Sequence, residues 1–196
     1  MTLTDLKDAL KKNRTYRRFD STIIVDEDTL KQLVKLTRFC ASGRNAQPLK
    51  YRMVTNANER EAVFNTLAWA GYYKDWDGPS EGERPTAYLV QCPDTQYGDN
   101  CLCDDGLHLE AITLGATTLG LGCCIIKAFK AKELSQSLSL PQSLVPRYVI
   151  AIGKPAETII LEDMDGTPDA SFKYYRDEKE QHHVPKRPLE ELIINQ

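Results

Sequence analysis

The chain has 196 residues, 41% of them hydrophobic and 27% charged, and it carries a formal net charge of −3 at pH 7. Such a composition is typical of a folded protein rather than a disordered one, and the small negative charge provides no basic field for nucleic acid. The sequence contains no run of about 18 uncharged apolar residues, which argues against a membrane-spanning helix.

The pattern of apolar residues predicts alternating helices and strands. In chain order we predict a helix over 3–12, a second helix capped by Asp26, a strand over 51–55, a helix over 58–69, a strand over 86–92, a helix over 104–119, a strand over 123–126, a helix over 131–138 and a strand over 147–153. This alternation indicates a mixed α and β fold with helices flanking a sheet. Since no composition shift marks a boundary, we expect a single domain over residues 1–196.

Two features favour a dimer. The predicted helix over 104–119 is apolar on most of its sides, so it needs more cover than one sheet provides. The segment 155–196 is a polar, irregular arm with too few apolar residues to form a domain, and its end, PLEELIIN, predicts a strand. A terminal strand beyond such an arm often pairs with the sheet edge of another chain. Each feature is equally compatible with a monomer.

The six cysteines predict reduced thiols rather than a metal centre. The N-terminal segment MTLTDLKDALKKN is charged and lacks the apolar core of a secretory signal, so we expect a cytoplasmic protein without disulfides. Cys101 and Cys103 are spaced too closely for a usual zinc site with His108, since zinc ligands favour gaps of about two to four residues. A nucleophilic pair of Cys103 and His108 would lack an orienting third group. We predict no metal ligand and no catalytic side chain.

Two basic clusters lie at opposite ends of the chain. The first contains Arg14, Arg17 and Arg18, with Thr15 between them, and the second contains Lys186 and Arg187. Arginine offers a planar fork of donors that matches phosphate oxygens two at a time. Each cluster alone is compatible with a solvated basic face, but together they can hold one dianion such as a phosphate monoester.

The segment ASGRNAQPLKY is richer in small and polar side chains than a helix-to-strand connection requires. It groups Ser42, Gly43, Arg44, Asn45 and Gln47 within six residues, which raises the question of a binding role. A plain polar loop at the end of the second helix is the alternative.

Taken in order, these segments resemble the FMN-dependent nitroreductase family. KNRTYRRFD is similar to that family's N-terminal signature, roughly Arg-Arg-Ser-x-Arg-x-Phe, and ASGRNAQPLKY to its Ser-x-x-Asn-x-Gln-Pro-Trp segment. LEAITLGATTLGLGCCII resembles its central helix and following turn, RYVIAIGKPAE a strand near its end, and KRPLEEL its terminal basic motif. The motifs are individually loose, but they come in the family's order and cover nearly the whole chain.

The resemblance implies a homodimeric α+β flavoprotein with a mixed sheet flanked by helices, and with the C-terminal arm and strand exchanged between subunits. It implies FMN at the subunit interface, NADH or NADPH as hydride donor, and a nitroaromatic or quinone as acceptor in a ping-pong cycle. The flavin would supply the redox chemistry and the protein would supply position and electrostatics. Arg17 would lie near the pyrimidine edge, where a cation favours the anionic reduced flavin. The FMN-binding residues that the resemblance implies are Arg14, Thr15, Arg17, Ser42, Gly43, Arg44, Asn45, Gln47, Lys127, Ala128, Lys186 and Arg187.

The chain also departs from the family's pattern. Asn13 stands where many members have the first arginine, which weakens one phosphate contact. Lys127 and Ala128 stand where the family usually has Gly-Gly or Glu-Gly, whose backbone N–H reaches flavin N5. The family's ring-edge asparagine has no clear counterpart. The aromatic loop over 71–85 is the candidate for binding the acceptor, through Tyr73 and Trp76.

Two other functions remain open from the sequence. A flavin-binding sensor or carrier without efficient turnover would bind FMN but would be reduced poorly by NADPH. A thiol- or metal-based protein that uses Cys101 and Cys103 would purify colourless. The absorption spectrum of the purified protein separates these hypotheses.

Overall fold

The computed structural model describes residues 1–98, 101–165, 167 and 171–194. The α-helices are α1 (Leu3–Lys12), α2 (Glu27–Leu36), α3 (Ala57–Phe64), α4 (Asp104–Thr118) and α5 (Ala131–Ser137). The strands are β1 (Phe19–Asp20), β2 (Leu49–Val54), β3 (Ala87–Pro93), β4 (Gly122–Ile126), β5 (Tyr148–Pro155), β6 (Ile159–Asp163), β7 (Tyr175–Arg176) and β8 (His182–Lys186).

The helix starts follow the local sequence. Thr2 and Asp5 form a capping box at the start of α1, and the Asp26 side chain accepts a hydrogen bond from the Thr29 N–H at the start of α2. The predicted helix over 58–69 is wrong at its end, because α3 stops at Phe64. Beyond it the chain leaves the helix to pair with the segment after β4, where the Ala68 N–H donates to the Ala128 carbonyl oxygen at 2.9 Å.

The main sheet has five antiparallel-paired strands with β5 at its centre. β5 pairs with β3 along one edge (Leu89 opposite Ile150) and with β4 along the other edge (Cys124 opposite Ala151), while β2 pairs with β3 and β1 pairs with the end of β5. Alternate residues of β3 and β5 therefore point to opposite faces. One face packs against α2 and α4, and the other packs against α3 and α5.

α4 is covered over most of its length, as its apolar composition predicts. Its buried residues include Leu109, Ile112 and Ala116, which pack with Leu30 and Leu33 of α2. Two apolar side chains at its ends stay outside this core: Leu107 and Leu119 are 42% and 50% exposed. The helix thus keeps some apolar surface outside the core of the single chain.

The prediction that the tail is irregular is wrong. β6 pairs in parallel with β8, and β7 pairs antiparallel with β8, so a second, mixed sheet forms within the tail. The predicted strand over 188–195 is also wrong: Leu189–Leu192 is a 3₁₀ turn, and Asn195 lies outside the described residues. Pro188 lacks the N–H that a strand ladder needs, and Arg187 pairs with Glu191 one turn later at 2.7 Å.

No helix in the described ranges is both long and apolar enough to cross a bilayer.

Candidate functional site

A cavity of about 350 Å³ lies where the segment after α1, helix α4, strand β4 and strand β8 meet. Its walls combine cationic, hydroxyl and apolar side chains. The lining residues are Asn13, Arg14, Thr15, Arg17, Glu110, Thr113, Cys123, Ile125, Tyr174, His182, Val184 and Lys186.

The backbone explains why distant segments meet here. The segment after α1 runs beside β4, since Thr15 forms a parallel bridge with Cys123 and the Tyr16 N–H donates to the Cys123 carbonyl oxygen at 2.9 Å. On β8, alternate positions face the cavity, because successive side chains of a strand point to opposite sides. These positions are His182, Val184 and Lys186.

The cavity has an excess of positive charge. Three cations line it, against one carboxylate, that of Glu110. Burial and the neighbouring Arg14 guanidinium both lower the pKa of Lys186, which means that these two cations lie close enough to repel. The buried Arg14 Nε has no hydrogen-bond partner within the described part of the chain. This donor set fits a group with several acceptor oxygens and negative charge.

Asn13 holds Glu110, the acidic side chain of the cavity wall, through a hydrogen bond. Its Nδ2 donates to Glu110 Oε1 at 3.1 Å and to Thr113 Oγ1 at 2.9 Å. Asn13 thus anchors α4 and contributes no charge of its own. The cationic character of the cavity comes from Arg14, Arg17 and Lys186.

Part of the cavity wall is a polar network around Arg17, which is 8% exposed. Its guanidinium Nη1 lies 3.0 Å from His182 Nε2, and its Cζ lies 4.4 Å from the centre of the Tyr174 ring. The Tyr73 hydroxyl contacts His182 Nδ1 on the opposite side of the imidazole. The network links the cavity to the aromatic loop over 71–85.

A carboxylate neutralises the inner side of this network. The Glu157 side chain is 2% exposed and accepts hydrogen bonds from the backbone N–H groups of Arg17 and Arg18 and, at 3.0 Å, from Arg176 Nη2. Arg176 in turn lies over the rings of Tyr73 and Trp76, with its Cζ 4.9 and 5.1 Å from their centres. Glu157 therefore ties the second sheet to the segment that carries Arg17.

The sequence-predicted cofactor residues divide into separate groups in the single chain. Arg14, Thr15, Arg17 and Lys186 line the cavity. Arg187 instead forms its ion pair with Glu191 on the surface.

The loop over 42–47 lies at the start of α4, and its residues are absent from the cavity lining given above. Ser42 Oγ donates to Asp104 Oδ2 at 2.5 Å, and the Gly43 N–H donates to Asp104 Oδ1 at 2.9 Å. Arg44, Asn45 and Gln47 have positive φ angles of 56°, 55° and 49°. Three non-glycine residues in this region are uncommon, and such backbone clusters at functional sites.

Lys127 and Ala128 are exposed just beyond the end of β4. Lys127 Nζ donates to the Arg147 carbonyl oxygen at 3.3 Å and lies 4.4 Å from the centre of the Tyr148 ring. The lysine is thus directed along β5, and it is Cys123 and Ile125 of β4 that line the cavity.

The proposed acceptor residues are packed inward. Trp76 meets Trp69 edge-on at 6.4 Å between ring centres and meets Tyr73 edge-on at 5.9 Å. Tyr72, at the same end of the loop, is 45% exposed and stacks obliquely on Tyr174 at 4.8 Å. The loop is therefore a packed aromatic cluster beside the cavity.

The candidate thiol and metal residues are not arranged as a site. His108 Nδ1 lies 2.9 Å from the Tyr51 hydroxyl, and Cys103 is exposed. Within the described ranges, no three His, Cys, Asp or Glu side chains are grouped so as to hold a metal ion. Cys123, which lines the cavity, is buried, and burial raises the pKa of its thiol well above the usual value.

Sequence reasoning missed His182, Tyr174 and Glu157. His182 lies two and four positions before Val184 and Lys186, so the alternation of a strand was the one signal that could have placed it in the site. Nothing in the local sequence distinguishes Tyr174 or Glu157, because both act through contacts with Arg17, far away in the chain.

Comparison with known proteins agrees with this architecture. Residues 10–86 match the nitroreductase family. A nitroreductase family protein from Clostridium difficile 630 is 18% identical, with 100% of this chain and 99% of that one covered and a TM-score of 0.66. A nitroreductase family protein from Clostridium novyi NT is 23% identical over 76% of this chain and 84% of that one, with a TM-score of 0.65.

An NADPH:FMN oxidoreductase from Vibrio harveyi, solved in complex with NAD⁺, is 17% identical, with 77% of this chain and 69% of that one covered and a TM-score of 0.60. At these identities the structural matches establish the fold. The family match in sequence falls on the segment that contains the first basic cluster and the loop over 42–47. The resemblance seen in the motifs is confirmed: the chain has the nitroreductase α+β fold, and its residues 10–86 carry the sequence pattern of the nitroreductase family.

Proposed function

We propose that this protein is an FMN-dependent oxidoreductase that uses NADH or NADPH to reduce nitroaromatic or quinone-type acceptors. The observation that carries the proposal is the cavity in which Arg14 and Lys186 lie close enough for their charges to repel. A phosphate monoester carries about −1.5 to −2 charge and several acceptor oxygens, so it relieves this repulsion. The nitroreductase fold and the name of the Vibrio harveyi protein support FMN as the phosphate-bearing group.

The residues present fit FMN. Arg14, Thr15 and Lys186 would hold its phosphate, with the buried and unpartnered Arg14 Nε as one available donor. Arg17 would bring a cation to the ring system, where negative charge collects on reduction. When bound, FMN would supply the hydride chemistry. The protein would bind and orient it and exclude water from one side.

The loop over 42–47 is the remaining part of the proposed FMN site. Its polar side chains and positive φ angles lie at the start of α4, apart from the cavity residues of the same chain. A homodimer in which this loop approaches the cavity of the partner would complete the site. The exposed apolar residues of the C-terminal segment, Leu189, Leu192, Ile193 and Ile194, support such an interface, since apolar patches mark contact surfaces.

We place the acceptor beside the aromatic loop and the protein in the cytoplasm. Removal of the Trp76 side chain tests whether the loop binds the acceptor, because Trp76 packs edge-on against Tyr73. In Trp76→Ala we expect a changed ratio of kcat/KM for a nitroaromatic over a quinone, with FMN binding retained. An unchanged ratio would refute a role of the loop in acceptor selection.

The decisive experiment is an absorption spectrum of the purified protein, followed by titration with NADPH under argon. We expect flavin absorption that bleaches on addition of NADPH and returns when a nitroaromatic or quinone is added. A spectrum that bleaches poorly would favour the sensor or carrier. A colourless protein that also fails to bind added FMN would refute the proposal.

A further inference from the structure

His182 occupies the centre of the polar network in the cavity wall. The residue is 1% exposed, although it lies on β8, the middle strand of a small sheet near the surface. Its imidazole lies between Arg17 and Tyr73, with Arg17 Nη1 3.0 Å from Nε2 and the Tyr73 hydroxyl at Nδ1. Both ring nitrogens are therefore engaged.

The chemistry of the partners fixes the proton on the ring. An arginine has no acceptor, so Arg17 must donate and His182 Nε2 must accept. A neutral imidazole carries one N–H, which then has to be on Nδ1 and to donate to the Tyr73 oxygen. Burial raises the pKa of Tyr73, which keeps this phenol neutral and leaves its own proton free for another acceptor.

The surroundings disfavour a charged imidazole. Burial, together with the neighbouring Arg17 and Arg176 cations, lowers the pKa of His182 to about 4. The titratable and charged groups around it are Arg17 from the segment after α1, Tyr73 from the loop, Glu157 after β5, Tyr174 and Arg176 at β7, and His183 on its own strand. Glu157 satisfies Arg17 and Arg176 rather than the imidazole. His182 is thus a neutral acceptor in the pH range of ordinary assays.

We propose that His182 is a positioning residue: as the neutral Nδ1–H tautomer it holds the Arg17 guanidinium at the cavity wall and fastens Tyr73 of the aromatic loop to the same point. Only the identity of the ligand, FMN, rests on the proposed function. The Tyr174 ring, 4.4 Å from the guanidinium, supports Arg17 on another side. Arg17 is thereby held before any ligand arrives, which reduces the ordering cost of binding.

A first test needs no ligand. In the ¹⁵N-labelled apoprotein at pH 7, long-range ¹H–¹⁵N spectra should show His182 as the Nδ1–H tautomer and should leave it neutral down to about pH 5. In Arg17→Ala the pKa of His182 should rise, because a neighbouring cation is removed. A protonated imidazole at pH 7, or the Nε2–H tautomer, would overturn the proposal whether or not the protein binds FMN.

A second test measures positioning through FMN affinity and through the midpoint potential of bound FMN. His182→Leu removes both hydrogen bonds, whereas His182→Gln keeps an amide acceptor and a donor. Since hydrogen bonds to charged groups are worth more than neutral ones, we expect about ten-fold weaker FMN binding and a more negative potential in His182→Leu. His182→Gln should retain most of the wild-type FMN affinity and a midpoint potential close to that of the wild type.

A double-mutant cycle and a matched control complete the design. In the Arg17→Ala background, His182→Leu should produce no further loss of affinity, because its effect runs through Arg17. His183→Leu, on the same strand but directed at Glu162, controls for damage to the second sheet. If His182→Leu weakens FMN binding equally in the wild type and in the Arg17→Ala background, the positioning role is contradicted. The same holds if His183→Leu weakens FMN binding as much as His182→Leu does. Failure of the wild type to bind FMN would refute the proposed function instead, and the tautomer test would still stand.

Discussion

Arg14 and Lys186 come from opposite ends of the chain and line the same cavity, where the guanidinium adds to the effect of burial in lowering the pKa of the lysine. Two cations held together in a folded protein destabilise it unless an anion joins them. Their juxtaposition is therefore the reason why we propose a phosphate-binding site here.

The first prediction concerns this pair. We expect Lys186→Ala to weaken FMN binding to the apoprotein by about ten-fold, because one charge-assisted hydrogen bond is lost. Isothermal titration calorimetry at two salt concentrations measures the change, and the salt dependence should be smaller in the variant. Lys179→Ala, which removes an exposed lysine in the turn before β8, is the control. Equal affinities for Lys186→Ala and the wild type would argue against a phosphate at this position.

The second prediction concerns Glu157. Its buried carboxylate pairs with Arg176 and accepts two backbone N–H groups near Arg17. Glu157→Gln removes the buried carboxylate from Arg176 and leaves it only the exposed Glu180 at 3.9 Å, and breaking a buried pair in this way costs about 3 kcal/mol. Urea denaturation should show this loss in the free energy of unfolding. Glu178→Gln, at an exposed position, should leave it unchanged. A loss below about 1 kcal/mol would mean that Glu157 does not secure the second sheet.

The third prediction concerns close packing where the segment after α1 meets β4. A Cβ on Gly122 would lie 2.4 Å from Tyr16 Cδ2 and 2.7 Å from Pro155 Cγ, both of which belong to rigid rings. We expect Gly122→Ala to lower the free energy of unfolding by roughly 1–3 kcal/mol.

Gly106 is the matched control, because it lies in α4 and a Cβ there would meet no atom within 4 Å. Gly106→Ala should raise the free energy of unfolding by roughly 0.5–1 kcal/mol through helix propensity. Thermal denaturation of the two variants should therefore move the midpoint in opposite directions. A shift of the same sign in both would contradict the packing argument.

The fourth prediction concerns pH and the second sheet. His183 contacts Glu162 of β6 and, at 3.3 Å, Asp177 beyond β7, and its hydrogen bond to Glu162 raises the pKa of the imidazole above the usual 6.5. A raised pKa in the folded state means that the protonated form stabilises the fold. This stabilisation is complete below the unfolded pKa and disappears as the pH rises through the higher folded pKa.

His183→Gln measures this contribution, since glutamine does not titrate. The difference in free energy of unfolding between the wild type and this variant should be largest near pH 5–6, where the imidazole is charged in both states. It should shrink as the pH rises past the folded pKa. A difference that grows with pH, or that stays constant from pH 5 to pH 9, would show that His183 does not bridge the two carboxylates as a cation.

Local sequence predicted much of the fold because its signals act over a few residues. Thr2 and Asp26 cap their helices through side chains that reach the third residue beyond them, and the apolar run in Ala87–Pro93 is buried as a central strand. The same reasoning failed at Phe64, where the helical pattern continues but pairing with the segment after β4 ends the helix. It also failed for the tail, because β8 looks polar and the apolar run of β6 is only three residues long (159–161), so that the second sheet depends on pairing between segments distant in the chain.

By itself, the sequence determined the main helices and central strands, the presence of two basic clusters and the resemblance of residues 10–86 to the nitroreductase family. Only the tertiary structure decided that Arg14, Arg17 and Lys186 share one cavity, that Arg187 turns away to Glu191, and that His182 stands buried beside Arg17. The physical reason is the range of the interactions. Caps and periodicity are set by neighbours in the chain, whereas the charge and position of a cavity wall are set by residues that folding brings together from distant segments.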